Sequence, residues 1–293
     1  TGGAGFIGSH TIVSLIENGY EAIIIDNLSN SHELILNRIK KITNKFPKFY
    51  NGDVRDKVLL DKIFSENKID AVIHFAGLKS VEESVKNPDY YHENNVGGTS
   101  ILLSCMEDAG VNRLIFSSSA TVYGDPDYLP IDEFHKTAAI NPYGKTKLDI
   151  ENILLSLVNK NPTWSISILR YFNPIGAHKS GLIGEDPKGV PNNLMPFLTK
   201  VALGSIDELK VYGNDYPTHD GTGIRDYIHV MDLAEGHLEA LKHNKASSGA
   251  HFFNLGTGKG TSVLDLIRAF EEINKVKIPY SYEKRRSGDV FSS

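Results

Sequence analysis

The feature that most constrains the fold is a regular alternation of short apolar runs with helical segments over the first 175 or so residues. The runs "EAIIID", "DAVIHFAG", "NRLIFSSSA" and "WSISILRYFN" are typical of buried strands. Between them lie segments such as "SHTIVSLIENG", in which Ile12, Leu15 and Ile16 recur at helical spacing. Alternating strands and helices predict βαβ units, and therefore an α/β fold with a doubly wound, mostly parallel sheet.

The chain opens with a glycine-rich turn, "TGGAGFIGSH". Gly3 to Gly8 fits G-x-G-x-x-G, while Gly2, Gly5 and Gly8 fit the wider G-x-x-G-x-x-G spacing. Such glycines allow a tight turn and close backbone approach to a pyrophosphate, which the N-terminus of the following helix also attracts. Asp26 ends the next strand and can accept hydrogen bonds from an adenosine ribose while repelling a 2′-phosphate. The context predicts a Rossmann-type NAD site rather than an NADP site.

A tyrosine and a lysine share one helical face in "NPYGKTKLDIE", where Tyr143 precedes Lys147 by four positions. An ammonium beside a phenol favours the phenolate, so we expect the pKa of Tyr143 to be lowered. Ser119 ends the strand of "FSSSATVYG" at the same predicted sheet edge, where it would hydrogen-bond a substrate oxygen. A surface pair at a helix start and serines that cap a turn are the alternative interpretation. Together with the nucleotide site, the three residues favour proton exchange during hydride transfer.

Composition excludes several classes of protein. The net charge of -5, without a basic block, predicts neither a nucleic-acid nor a membrane partner. The single Cys105 excludes an internal disulfide framework and fits a reducing cytoplasm. None of the eleven histidines forms a metal spacing with nearby acids, so we expect no metal.

Longer strings carry a family resemblance. The glycine turn, the aspartate after the second strand and Y-x-x-x-K resemble the extended short-chain dehydrogenase/reductase superfamily. "HFAGLKSVEESV", "FSSSATVYGD", "LRYFNPIGAH", "PNNLMPF" and "YGNDYPTHDGTGIRDYIHVMDLA" resemble the UDP-galactose 4-epimerase family within it, over essentially the whole chain. The resemblance implies 4-epimerisation of UDP-galactose and UDP-glucose through a 4-keto sugar on one tightly held NAD, usually in a homodimer. Tyr143 would exchange the proton, with Ser119 and Lys147 in support.

The resemblance also implies binding residues. Cofactor contacts would come from the glycine turn, the loops after the strands, and the catalytic residues themselves: Gly2, Gly5, Phe6, Ile7, Gly8, Asp26, Asn27, Leu28, Ser29, Asn30, Ser31, Asp53, Val54, Phe75, Ala76, Gly77, Leu78, Lys79, Asn94, Ser119, Tyr143, Lys147, Tyr171 and Phe172. Substrate contacts would be Lys79, Ser119, Tyr143, Asn173, Asn193, Leu194, Lys210, Val211, Tyr212, Arg225, Arg286, Asp289 and Ser293. Two arginines also suit a diphosphate on chemical grounds.

Substrate range is predicted from one position. In the family, a bulky tyrosine four residues after the aspartate restricts the pocket to plain hexoses. Here that position is Ser293, so UDP-N-acetylglucosamine and its galacto epimer are expected as substrates too. The alternative is that Ser293, at the chain end, says little about a pocket.

Other functions share this frame, and one alternative is another NAD-dependent nucleotide-sugar epimerase of the same superfamily. A sugar-nucleotide dehydratase would need an acid pair after Ser119, where Ala120 and Thr121 stand. A non-catalytic NAD-binding regulatory protein would be expected to lack part of the Ser–Tyr–Lys set.

Residues 1–173 are expected to form the NAD-binding domain and 174–293 mainly a smaller, interleaved α/β lobe for the nucleotide sugar. The strand-like "HFFNLG" is expected to return to the first sheet. A strand before Thr1 and the C-terminal end of the family fold are expected to lie outside this chain.

Overall fold

The computed structural model describes residues 1–189, 191, 193–286 and 289–293. Its strands are β1 (Ile23–Asp26), β2 (Lys48–Asn51), β3 (Val72–His74), β4 (Arg113–Ser119), β5 (Ser165–Tyr171), β6 (Asn173–Ile175), β7 (Leu209–Tyr212), β8 (Ile224–His229), β9 (Gly249–Leu255), β10 (Gly260–Ser262) and β11 (Tyr280–Glu283). Its helices are α1 (Phe6–Glu17), α2 (Leu34–Thr43), α3 (Lys57–Glu66), α4 (Val81–Lys86), α5 (Pro88–His92), α6 (Gly98–Asp108), α7 (Pro142–Lys160), α8 (Leu194–Ala202), α9 (Val230–Ala246) and α10 (Val263–Asn274). None of the described helices is long and apolar enough to cross a membrane.

The main sheet is parallel. Strands pair in the order β3–β4–β5–β9, and β1 pairs with β2. Residues 1 and 2 join these two parts, because Gly2 N donates to Ile25 O and Phe75 N donates to Thr1 O. The late strand β9 lies beside β5, as the sequence predicted for "HFFNLG".

The sheet is covered on both faces, since side chains alternate along each strand. Leu114 and Phe116 pack with α3, α6 and α7 on one face. Ile115 points to the other face, where α1, α2 and α9 pack. The predicted doubly wound α/β fold is confirmed.

Later residues form smaller sheets. β8 pairs with β6 in parallel and with β10 antiparallel, and β7 pairs with β11. A separate apolar cluster around Leu198, Val211 and Ile267 packs α8 and α10 against β7.

Candidate functional site

The glycine turn is packed so tightly that two of its glycines cannot be replaced without strain. Gly2 has φ +68°, and a Cβ there would lie 2.6 Å from Ala76 N. A Cβ on Gly8 would lie 2.4 Å from Gly2 O. The turn therefore folds onto itself and onto the segment that follows β3.

Gly5 differs from these two, because a Cβ there would meet only Gly2 O, at 3.4 Å. Gly5 caps α1 without any side-chain hydrogen bond, and the half-buried Phe6 and Ile7 follow it. Packing within the chain does not require glycine here. The bare helix N-terminus fits close approach by an external diphosphate.

Asp26 ends β1 beside this turn. Its Oδ2 accepts from Ala4 N at 3.0 Å, and its Oδ1 accepts from Leu28 N at 2.8 Å and Ser31 Oγ at 3.1 Å. The carboxylate is thus fixed next to the glycine turn, with acceptor capacity left for ribose hydroxyls.

The loop after Asp26 forms one wall of a cavity. Asn27 Oδ1 accepts from Ser29 N, and Asn30 Oδ1 accepts from Lys188 N. The cavity, of about 270 Å³, is lined by residues that include Gly5, Phe6, Asn30, Ser31, Arg38 and Asp186. Its position suits the phosphate-linked part of a dinucleotide.

β2 ends at Asn51, and the next residue still bonds to β1, because Gly52 N donates to Asp26 O. Asp53 then receives two hydrogen bonds from the Arg55 guanidinium, at 2.9 Å each. These bonds hold the pKa of Asp53 at about 2, so it is charged at neutral pH. Val54 beside it is buried.

The segment after β3, Phe75 to Lys79, is held by a residue that the sequence analysis missed. Buried Asn95 accepts from Leu78 N at 2.8 Å, and its amide donates to Leu78 O and Thr146 Oγ1. A Cβ on Gly77 would lie 3.8 Å from Lys147 Nζ. The predicted neighbour, Asn94, is only half-buried. Asn95 therefore ties the predicted cofactor segment to α7.

α7 brings Tyr143 and Lys147 to the end of β4. Asn141 caps the helix by accepting from Gly144 N, and Pro142 occupies its first turn. A Cβ on Gly144 would lie 2.9 Å from Thr121 O, so the first turn of α7 packs closely on the turn after Ser119. That turn is fixed because Thr121 N and Oγ1 both donate to Ser119 Oγ.

The expected lowering of the Tyr143 pKa is wrong for this structure. Lys147 Nζ donates to Ser117 O at 2.7 Å and lies 5.9 Å from the centre of the Tyr143 ring. Burial raises the pKa of Tyr143, and the nearby Ser119 hydroxyl acts in the opposite direction. Burial also lowers the pKa of Lys147 to about 8, although Glu151 opposes this. Desolvation outweighs the expected Lys–Tyr attraction.

A buried ion pair supports this region and was not predicted. Arg170 Nη2 contacts Glu151 Oε2 at 2.7 Å, with both side chains almost fully buried. Ser118 Oγ donates to Glu151 Oε1 at 2.6 Å, and Arg170 Nη1 donates to Tyr123 OH. Because Glu151 lies one turn after Lys147, the pair fixes α7 against β4 and β5.

Tyr171 ends β5 within a second buried network. Its hydroxyl hydrogen-bonds Ser117 Oγ at 2.7 Å and also His237 Nε2. Burial raises the pKa of Tyr171 and lowers that of His237 to about 4, so both are neutral. The His237 ring packs on Phe75, 4.8 Å between ring centres. Phe172 N donates to Leu255 O of β9.

The residues predicted to bind the uridine diphosphate form two contacting pairs, one at β8 and one at β7. Arg225 Nη2 lies 3.7 Å from Asp289 Oδ1. The Arg286 guanidinium lies 4.0 Å from the centre of the Tyr212 ring. Val211 is buried in β7 between Tyr212 and Lys210. The Lys210 ammonium is occupied by Glu208 and Glu283, which leaves its backbone as the part available to a ligand.

Ser293 is placed by backbone bonds to β8. Its N–H donates to Ile224 O at 3.2 Å, and its carbonyl accepts from Asp226 N at 2.8 Å. Ser293 therefore lies beside Arg225, because its two backbone bonds go to the residues on either side of Arg225 in β8. Its side chain is half-buried.

Four further predicted residues lie at the start of later elements or just after β3. Asn173 begins β6, which pairs with β8. Asn193 caps α8, and Leu194 is its first residue. Lys79 Nζ and Asn193 Nδ2 donate to the same atom, Glu185 Oε1.

One histidine lies among acids in the folded chain, although no metal spacing is visible in the sequence. His219, Asp220 and Asp265 present ligand-type atoms within 4.8 Å of one another, although Asp265 is distant in sequence. Their atoms already serve other bonds, since Asp220 accepts from Ser262 and Thr222, and His219 pairs with Asp265 at 2.8 Å. The group is explained as a local hydrogen-bond network.

The chain is similar to several known proteins. The UDP-glucose 4-epimerase of Haemophilus influenzae is 56% identical over 291 residues, which are 99% of this chain and 86% of that protein. The structure of UDP-glucose 4-epimerase from Bifidobacterium longum, in complex with NAD+ and UDP, superposes with a TM-score of 0.97 at 52% identity, covering 99% of this chain and 87% of that one. The UDP-Glc/GlcNAc 4-epimerase of Campylobacter jejuni gives a TM-score of 0.83 at 36% identity, covering 100% and 88%.

The model of one protein family, described as the NAD dependent epimerase/dehydratase family, matches residues 1–256. That range contains the glycine turn, Asp26 and the Ser119, Tyr143 and Lys147 constellation. The chain belongs to the NAD dependent epimerase/dehydratase family.

Proposed function

We propose that this chain is an isomerase that catalyses the NAD-dependent 4-epimerisation of UDP-galactose and UDP-glucose through a 4-keto sugar. One observation carries the proposal. Tyr143 and Lys147 on α7 lie at the carboxyl end of β4, beside the segment that packs on the glycine turn. A proton-exchanging group and a dinucleotide site thus share one sheet edge. The relatives of the highest identity described above carry this activity in their names.

The residues present fit NAD. The uncapped α1 N-terminus at Gly5 leaves room for the diphosphate, with Phe6 and Ile7 beside it. Asp26 accepts from the ribose hydroxyls, and its charge disfavours a 2′-phosphate. When bound, NAD supplies the hydride acceptor and donor for sugar C4.

Tyr143 carries out the proton transfer. As the phenolate, its oxygen takes the proton of the sugar 4-hydroxyl when the ketone forms and returns it after the sugar has turned over. Ser119 Oγ donates to the same sugar oxygen, where negative charge develops. In the structure Lys147 rests on Ser117 O, and burial disfavours the Tyr143 phenolate. Lys147 must therefore move its ammonium toward the phenol and the nicotinamide ribose when the ligands bind.

The nucleotide is held by the later residues. Arg225 and Arg286 neutralise the diphosphate, Asp289 accepts from uridine ribose hydroxyls, and the Lys210–Tyr212 backbone faces the uracil. Asn173, Asn193 and Leu194 complete the diphosphate contacts. In this proposal residues 1–173 form the NAD-binding domain and 174–293 mainly the sugar-nucleotide lobe.

The function is tested by incubating the protein with UDP-galactose, without added NAD, and following the 4-epimer by proton NMR. Conversion to UDP-glucose is expected with cofactor retained from expression. Tyr143→Phe should lower the rate about 10²- to 10⁴-fold, since it removes the hydroxyl group that exchanges the proton and leaves the ring in place. No conversion by the wild type would favour the NAD-binding regulatory alternative, and loss of water from the sugar would favour a dehydratase.

We further propose that UDP-N-acetylglucosamine and UDP-N-acetylgalactosamine are substrates, because the small Ser293 leaves room near the sugar 2-position. Ser293→Tyr should abolish N-acetyl turnover and spare hexose turnover, which NMR on both substrates would measure. Parallel loss of both activities would contradict this role. The hydrogen bonds between Ser293 and β8 are made by backbone atoms, so Ser293→Tyr should retain them.

The assembly and location follow from the family resemblance and the composition. We propose a homodimer in the cytoplasm, without a nucleic-acid or membrane partner. The one cysteine, Cys105, is buried and unpaired, as suits a reducing compartment. Light scattering of the purified protein measures its molar mass in solution and so tests for the dimer.

A further inference from the structure

Glu185 connects two predicted ligand-binding segments. It lies in the loop between β6 and α8, and its side chain is only 9% exposed. Its Oε1 accepts from Lys79 Nζ at 3.2 Å and from Asn193 Nδ2 at 2.5 Å. Lys79 belongs to the segment after β3, whereas Asn193 caps α8. One carboxylate oxygen therefore fixes a donor from each side of the site.

The other oxygen of this carboxylate is unused. Glu185 Oε2 is buried and has no hydrogen-bond donor among residues 1–189, 191, 193–286 and 289–293. A carboxylate can only accept hydrogen bonds, and a buried acceptor without a donor is costly. This oxygen is thus prepared to accept from a ligand group.

The charge of Glu185 indicates which part of the ligand this is. A carboxylate repels a diphosphate, and Arg225 and Arg286 already serve that group elsewhere. Hydroxyl groups, in contrast, are donors that a carboxylate binds well. We propose that Glu185 recognises the hexose: its Oε1 orients Lys79 and Asn193, and its Oε2 accepts from a sugar hydroxyl. This inference rests on the nucleotide-sugar substrate proposed above.

The test compares the binding of two ligands, UDP-galactose, which contains the hexose, and UDP, which lacks it. Glu185→Gln keeps the shape of the side chain but replaces one acceptor oxygen by a donor. Calorimetry should give an unchanged dissociation constant for UDP, whereas that for UDP-galactose rises about tenfold or more. The KM for UDP-galactose should rise with it. Glu239→Gln, an exposed ion-pair residue on α9, is the matched control and should change neither constant.

A second arm identifies the hydroxyl. UDP-galactose analogues that each lack one hydroxyl are bound to the wild type and to Glu185→Gln. One analogue should bind the wild type more weakly and show no further loss in the variant, because both changes remove the same bond.

Two results would overturn the proposal. Equal weakening of UDP and UDP-galactose would show a structural role through Asn193, and unchanged affinity for UDP-galactose would show that Glu185 does not contact the sugar. Failure of the proposed function would give a different result, namely that the wild type does not turn over UDP-galactose. The binding comparison still decides the role of Glu185 in that case, because it measures affinity and not turnover.

Discussion

Lys147 is expected to destabilise the folded protein in a pH-dependent manner. Its side chain is buried, and burial lowers its pKa from 10.5 to about 8. This difference between unfolded and folded states corresponds to about 3 kcal/mol at neutral pH. Replacing Lys147 by Met removes that cost. It also removes the donor to Ser117 O, which costs about 1–3 kcal/mol in return.

The sign of the pH effect follows from proton counts. Between the folded pKa near 8 and the unfolded pKa near 10.5, the unfolded chain holds a proton on Lys147 that the folded chain lacks. Wild-type stability therefore rises with pH in this window, by about 1.4 kcal/mol per pH unit relative to Lys147→Met. Below pH 8 the difference between the free energies of unfolding of wild type and Lys147→Met is constant.

Urea unfolding followed by the fluorescence of Trp164, the single and fully buried tryptophan, measures this difference. Wild type and Lys147→Met are compared at pH 7.5, 8.5 and 9.5 with equal cofactor content. Lys145→Met, on the exposed side of the same helix, is the control and should show no such trend. The reasoning would be refuted if the free energy of unfolding of the wild type, relative to that of Lys147→Met, did not change across these pH values.

Two further predictions concern the cofactor site. Gly8→Ala should destabilise the protein by about 1–3 kcal/mol and release NAD, since its Cβ overlaps Gly2 O; thermal melts and absorbance of the purified protein measure both effects. Asp26→Asn should narrow the preference for NAD over NADP about tenfold, because it removes the charge that faces a 2′-phosphate but keeps an acceptor. An unchanged preference in a cofactor-binding titration would exclude Asp26 as the discriminating residue.

The sequence predicted the main sheet well because its strands are apolar runs buried on both faces. β4 contains the apolar run Leu114 to Phe116, β5 contains Ile166, Ile168 and Leu169, and α1 shows clear helical spacing. The small sheets of β6, β8 and β10 were not predicted, since three-residue strands such as β6 and β10 give no periodic signal. Asn95, which holds the segment after β3, was not predicted, because its buried hydrogen bonds leave no pattern in the sequence; Asn94 stays a predicted cofactor contact.

Buried charges were the main feature that the sequence could not reveal. Glu151 stands among polar and apolar residues of α7 and reads as part of a solvated face, yet it is 1% exposed and paired with Arg170. The Tyr143 pKa was mispredicted for the same reason, because spacing gives proximity but not desolvation. Glu185 likewise resembles any loop acid until its two donors are seen.

The position of β9 has a consequence for how the chain folds. β5 pairs with β9 over seven residues each, although residues 172–248 separate them in the sequence. A ribosome must therefore complete this long insertion before the main sheet can acquire its last strand. Closing so large a loop is entropically costly, which predicts a slow late step in folding. It also means that a contiguous N-terminal fragment would leave β5 as an exposed, apolar edge prone to aggregation.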